Sequence, residues 1–383
     1  MLEGEEVDHT PFYPDISMWY KYHRTEGMGD FSFLPGQLIP DKSDIHKLNG
    51  IMPEEYREMT YLELYRYFDF GLPVHIYYWY KETYEGITYK IEQSKDKKVE
   101  IYETPVGNLR RVKTRSSGSD SYVITEYPIK SVKDLTIMKY VLKSRNVEAN
   151  YGRVNEIINE IGDQGVADLV ITRSPFGKLA HEWMGLVILV YALTDQKREV
   201  LKFLEELQEF DLETINLAAE SPAKIVIIGD NMDEYLVSPP YFQEYCIPFY
   251  RIANDILHKA GKKTSVHMDG NIRNLLPMIK KTGFDFLDGT TPSPINNYEV
   301  EDLSISLGKD MKVYCGVPSS LFTTDVSDFE IICFAERIIN TLGDRVILNV
   351  GDILPPNGDI NKVILLNKLV NGHVAKIGFN DLI

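Results

Sequence analysis

Beyond about residue 130 the chain settles into one rhythm, and that rhythm most constrains its fold: short apolar runs alternate with longer stretches whose apolar residues recur at helical spacing. The runs are Asp168–Thr172, Lys224–Ile228, Thr264–His267, Phe284–Leu287, Lys312–Cys315 and Arg345–Val350. Gln196–Glu220, Pro240–Ala260, Ile272–Thr282, Asp328–Leu342 and Ile360–Asn371 read as helices. Strands separated by helices imply parallel βα units. Six such strands, with one or two from the N-terminal part, approach the eight of a TIM (β/α)8 barrel, with a doubly wound open sheet as the competing architecture. No G-x-G-x-x-G follows the first strand and no Walker loop occurs, so dinucleotide and P-loop chemistry lose their main signal. A chain of 383 residues buries a sizeable core without disulfides, and we read residues 1–383 as one barrel domain.

The N-terminal part is less regular. Ile16 to Tyr20 reads as an opening strand, a polar loop runs to about residue 52, and Glu54 to Phe70 carries aromatic and apolar residues at helical spacing. From His75 to Tyr127 the pattern changes to alternation. VHIYYWY, GITYKIEQ, KVEIYET and SYVITEYPI are β-branched and aromatic, which predicts an antiparallel β-insert over about 76–127, with Ser116–Ser121 at its tip.

The charge of the chain narrows its partners. Asp and Glu number 57 against 41 Lys and Arg, a net charge of −16, which opposes binding to nucleic acid and to anionic membranes. Three cysteines without paired spacing suggest a reducing compartment. The start, MLEGEEVDHTPFYPDIS, has neither the basic region nor the apolar run of a signal peptide, so a cytoplasmic location is expected. The longest apolar stretch, Met184–Leu193, falls short of the roughly 18 residues of a membrane span and reads as a buried helix.

In parallel barrels the chemistry sits where strands end. Here those ends read Arg173-Ser174-Pro175, Gly229-Asp230-Asn231, His267-Met268-Asp269-Gly270, Asp288-Gly289-Thr290, Cys315-Gly316 and Gly351-Asp352. Turns alone explain many of the Gly, Asp and Asn residues, but not His267 or Arg173. One imidazole and two carboxylates, His267, Asp269 and Asp352, suit Zn or another divalent metal with positions left for substrate. The plainer account is a buried histidine beside a carboxylate, with the aspartates capping turns. His181, on the helix after Arg173, is either an acid or base facing the mouth or a surface histidine beside Glu182. Asp230, Asp233 and Glu234 in GDNMDEY form either a carboxylate cluster in the site or a capping loop. Cys315 reads as a buried strand cysteine, and Trp19, Trp79 and Trp183 line a pocket or pack the core.

The stretch IVIIGDNMDEYLVSPPYFQEYCIPFYRIANDILHKAGKKTSVHMDGNIRNLLPMIKKTGFDFLD resembles the uroporphyrinogen decarboxylase superfamily, with its Gly-Asp strand end, its helix after Ser-Pro and its later H-x-C-G strand end. SPFGKLAHEWMG is similar to that family's P-F-T-L helix, ILNVGDILPPNGDI to its last strand and loop, and VDHTP to its opening. The resemblance covers about residues 165–375 and implies a TIM barrel, often dimeric, with at least two chemistries.

One branch decarboxylates a polycarboxylate tetrapyrrole without a cofactor. Its catalytic Tyr position falls on His181, its His after the last strand falls on Asp352, and its arginine-rich N-terminal signature is missing here. The other branch consists of corrinoid-linked methyltransferases that bind Zn through H-x-C and a later Cys. Those positions fall on His267, Asp269 and Asp352, with both thiolates replaced by carboxylates. The loss of sulfur argues against a thiol acceptor and favours a harder site that polarises an ether or alcohol oxygen.

The expectation is therefore a corrinoid-dependent methyltransferase of an anaerobic one-carbon system. It would demethylate a small O-methyl substrate such as a methoxylated aromatic, or an N-methyl one, and pass the methyl to the cobalamin-type cofactor of a separate corrinoid protein. In this reading His181 serves as acid, Asp230 orients substrate or His181, Arg173 binds a substrate carboxylate, and Asn231 and Asp233 complete the substrate site. A decarboxylase and a non-catalytic tetrapyrrole- or corrinoid-binding protein are the alternatives.

Overall fold

The computed structural model describes residues 9–24, 52–116 and 122–372. The loop expected up to residue 52 falls almost wholly outside these residues, as does all of the expected tip beyond Ser116.

The first strand, β1 (Leu72–Ile76), belongs to the barrel and not to the insert, because it pairs in parallel with Gly165–Leu169. Its alternating pattern and the tyrosines that follow imitate a hairpin strand. The insert proper starts with β2 (Tyr80–Tyr84) and continues through β3 (Thr88–Gln93), β4 (Lys97–Thr104), β5 (Gly107–Arg115) and β6 (Tyr122–Glu126). β3 to β6 form a four-stranded antiparallel sheet, and β2 pairs antiparallel with β7 (Arg145–Ala149). The rest of the barrel sheet is β8 (Gly165–Ile171), β9 (Ile225–Ile228), β10 (Lys263–His267), β11 (Phe286–Thr290), β12 (Lys312–Val317) and β13 (Val346–Val350). With β1 these make one parallel sheet in the order β1-β8-β9-β10-β11-β12-β13. β9 and β11 are buried at every position, as strands covered on both faces require.

The sheet curls, and a short N-terminal segment bridges its two ends. Leu348 N donates to Pro11 O (2.8 Å) and Tyr13 N donates to Leu348 O (3.0 Å), while Gly71 N, just before β1, donates to Phe12 O (3.2 Å). A Cβ at Gly71 would lie 2.8 Å from that same oxygen, so the approach needs glycine. Phe12 is buried against Phe70, ring edge to face at 5.9 Å.

Four expectations change in detail. Ile16 to Tyr20 is not a strand: Ser17–Arg24 is helical, and Asp15 Oδ1 accepts from Ser17 N (2.8 Å) at its start. The segment from Glu54 breaks into a 3-10 turn (Glu54–Tyr56) and a helix (Tyr61–Phe68) restarted by a Thr60/Glu63 capping box. In Ile272–Thr282 only Leu276–Ile279 is α-helical. Met184–Leu193 contributes to a helix, Leu186–Asp195, that is only half buried, with Val187 and Tyr191 about two-thirds exposed. No helix among the described residues is long and apolar enough to cross a membrane.

Candidate active site

The C-terminal ends of the barrel strands surround a cavity of about 330 Å³. His75, His267, Asp288, Tyr314 and Asp352 line it from five different strands or the turns just after them, and Asp15 enters from the N-terminal segment.

His267 ends β10 and is held from behind. Its Nδ1 lies 2.5 Å from Asp288 Oδ2 at the neighbouring position of β11. Its Nε2 lies 3.8 Å from Asp269 Oδ2 and 3.7 Å from Asp352 Oδ1. One donor atom from each of the three residues falls within 4.8 Å of the other two. A donor proton on Nδ1 would be spent on Asp288, leaving Nε2 to face the two carboxylates, as in a carboxylate-backed histidine ligand. Burial works against charge on His267, but the hydrogen bond and charge of Asp288 prevail and hold the imidazole at about 9. The enclosed setting and nearby Asp269 push the Asp352 carboxyl up while His267 pulls it down, although about half of that side chain still meets solvent. Asn231 Nδ2 donates to Asp269 Oδ2 (3.1 Å) and fixes that carboxylate.

Gly289 sets the His267 ring. Its φ is +73°, and a Cβ there would lie 2.5 Å from His267 Cε1. Gly289→Ala is expected to displace the ring and weaken metal binding by about 10- to 100-fold, as loss of ligand orientation does. Isothermal titration with Zn²⁺ on both proteins measures it.

A second carboxylate-backed histidine lines the same cavity. His75 Nδ1 lies 2.9 Å from Asp168 Oδ2 and 3.1 Å from Oδ1, across the β1–β8 pairing where the two residues are in register. Burial disfavours its charge, but Asp168 outweighs burial, with Asp288 and Asp15 adding to it, and the imidazole is raised to about 10. Sequence reasoning misses this pair because the alternating pattern of β1 reads as part of the insert. A polar residue on each of two adjacent buried strands was the available signal.

The other expected residues are placed as follows. Arg173 lines the cavity, with Nε donating to Glu182 Oε1 (3.1 Å) and Nη1 to the Asp230 carbonyl. Glu182 also faces Arg111 of the insert at 3.6 Å, which ties the insert to the barrel mouth. Asp230 is fully buried: Oδ1 accepts from Ser174 N (2.9 Å) and Oγ (3.1 Å), and Oδ2 from Tyr250 OH. Asp233 accepts from Asn271 N (3.0 Å) and Tyr235 N (2.8 Å), and Glu234 from Asn274 N (2.7 Å) and Asn297 Nδ2 (2.8 Å). These two acids bolt loops together, the capping alternative for GDNMDEY. His181 sits in a π-type turn, Leu179–Trp183, and is not among the cavity's lining residues. Burial and then Arg173 lower its pKa, and its Nε2 is buried without a partner. Cys315 is buried on β12, where desolvation pushes its thiol to about 12, so it is no nucleophile. Trp19 and Trp79 are core residues.

The family model described as uroporphyrinogen decarboxylase (URO-D) matches residues 118–373, well over half of the chain, and the chain belongs to that family. Among solved structures, a methyltransferase from Methanosarcina mazei is similar at 14% identity, with 98% of this chain and 97% of that chain covered and a TM-score of 0.58. A B12-independent methionine synthase from Shewanella sp. W3-18-1 is similar at 11% identity over 76% of this chain and 77% of that one, with a TM-score of 0.42. The first of these likenesses is one of fold. No curated protein sequence matches the chain.

Proposed function

We propose that this protein is a corrinoid-dependent methyltransferase that takes a methyl group from a small O-methyl or N-methyl donor and passes it to a separate corrinoid protein. The observation that carries the reading is the convergence of His267, Asp269 and Asp352, whose donor atoms lie within 4.8 Å of one another at the strand ends, with Asp288 behind the imidazole. The donor set fits a divalent ion: one imidazole with a carboxylate behind it and two carboxylates, one of them fixed by Asn231. His267, Asp269 and Asp352 would hold the ion, with Zn the leading candidate because imidazole and carboxylate both ligate it. When bound, it supplies a Lewis acid toward the leaving group of the methyl donor.

The chain's own residues position the substrate. Arg173 and Asn231 shape one wall of the cavity, and the Glu182–Arg173 pair keeps the guanidinium at the mouth. Asp230 acts by position: its hydrogen bonds to Ser174 fix the turn that carries Arg173. Tyr77 and Tyr78 after β1, and Tyr235 after β9, are each at least half exposed near the strand ends and offer an apolar rim to a docking corrinoid protein. The enzyme would work in the cytoplasm, as a homodimer.

Decarboxylation of a tetrapyrrole has less support. The cavity is at the small end of the roughly 300–1,000 Å³ typical of ligand sites, and its acidic residues oppose a polycarboxylate. The test is incubation with a reduced corrinoid protein and a panel of methoxylated aromatics and N-methyl donors. Growth of the methyl-corrinoid spectrum in step with demethylated product is expected. A flat spectrum across the panel, together with turnover of uroporphyrinogen, would replace this reading with the decarboxylase one.

A further inference from the structure

We propose that His75 is the general acid that protonates the departing oxygen of the methyl donor, which makes that donor an O-methyl compound and not an N-methyl ammonium. The inference rests on the methyl-transfer reading and narrows its substrate class.

His75 belongs to β1, which two strands, β8 and β9, separate from β10 and His267 in the sheet order, so the two imidazoles enter the cavity from different walls. Both oxygens of Asp168 lie within 3.1 Å of His75 Nδ1, which leaves Nε2 as the ring nitrogen free to serve a ligand in the cavity. Arg173 and His267 line the same cavity; the groups that act most strongly on His75 are Asp168 from β8, Asp288 from β11 and Asp15 from the N-terminal segment, with the Tyr77 ring at 6.4 Å just after its own strand. Asp168, Asp288 and Asp15 are acids, and all three favour the imidazolium. That proton is held about as tightly as a phenol holds its own, the condition for transfer to a phenolate-like leaving group.

The step balances as follows. The Co(I) of the corrinoid protein supplies an electron pair to the methyl carbon, and a cobalt–carbon bond forms. The carbon–oxygen bond breaks and its pair stays on oxygen. The proton on His75 Nε2 moves to that oxygen, giving the free phenol or alcohol, while the Nδ1 proton stays with Asp168. Water at the open mouth then reprotonates Nε2. A quaternary or protonated amine leaves as a neutral amine with no proton to collect, so it has no use for such a group.

The experiment uses 4-substituted anisoles whose phenols differ in acidity, assayed with wild type and His75→Gln. For unsubstituted anisole the variant is expected to lose about 100-fold in rate, within the usual range for a general acid, while 4-nitroanisole loses far less. An equal loss for every donor, or no loss, would overturn the assignment. Asp168→Asn keeps the shape and the hydrogen bond but removes the charge, and is expected to move the alkaline limb of the pH–rate profile to lower pH; an unmoved limb counts against His75. A third arm needs no turnover. Bound 4-nitrophenol should ionise at lower pH in wild type than in His75→Gln, and identical titrations would end the proposal. Should that shift appear while no ether is demethylated, the methyl-transfer reading fails and the proton donor stands.

Discussion

His267→Ala is expected to leave the purified protein without its metal and to lower methyl transfer by about 1,000-fold, the scale of removing about 4 kcal/mol of charge stabilisation at a leaving group. The reason lies in the donor set. Asp269 and Asp352 alone are two carboxylates, one of them about half exposed, and two such groups without the imidazole are a weak trap for Zn²⁺. The substitution also strands Asp288, whose side chain is only 5% exposed and whose partner is His267, so some loss of stability will accompany it. Asp352→Asn separates the two effects. Its side chain stands at the rim, so the fold should be untouched while affinity for the ion still falls. Elemental analysis after dialysis, with thermal melts of all three proteins, reads both consequences. Full metal content in His267→Ala would move the metal elsewhere in the molecule.

The legible part of this protein was its periodic half. Buried parallel strands are short apolar runs, and those runs end close to where the observed strands end, so the strand-end residues could be read as a rim without coordinates. His267, Asp269 and Asp352 are drawn from such ends, and the curl of the sheet is what brings them together. Less regular segments hid the rest. LPVHI alternates and runs into tyrosines, so pattern alone cannot separate a barrel strand from a hairpin, and His75 went with it. Ile16 to Tyr20 is too short for either period to show, and the Asp15 cap decided for a helix. The direction of His181 depends on a π-type turn, in which the usual helical spacing does not hold. Asp230 looked catalytic because it follows a strand. Its three hydrogen-bond donors, two from Ser174 and one from Tyr250, are invisible in a sequence.

That hidden polar interior yields the second large effect. Lys178, in the helix Pro175–Lys178 that follows Arg173, is buried and pairs with Asp211 of the long helix Lys197–Glu220, with side-chain exposures of 7% and 6%. The pair pins the helix beside the mouth to the outer helical layer. Lys178→Met is expected to cost about 3–5 kcal/mol at neutral pH, because it leaves a buried carboxylate without its counter-charge. Burial already pushes the Asp211 carboxyl upward, and Lys178 is the first group that pulls it back. Without Lys178 the folded-state pKa of Asp211 stands further above its unfolded value, so the folded variant binds the extra proton. Its deficit against wild type is therefore largest at neutral pH and shrinks as pH falls through that raised pKa. The double variant Lys178→Met/Asp211→Leu removes the orphaned charge and should recover most of the loss, since a well-packed apolar pair replaces a buried ion pair at little cost. Urea midpoints for the three proteins at pH 7 and pH 5 test both parts. A single variant as stable as wild type at pH 7 would mean that Asp211 reaches water, through the small polar cavity it lines with Arg145 and Glu82, and that the pair contributes little to holding the helix in place.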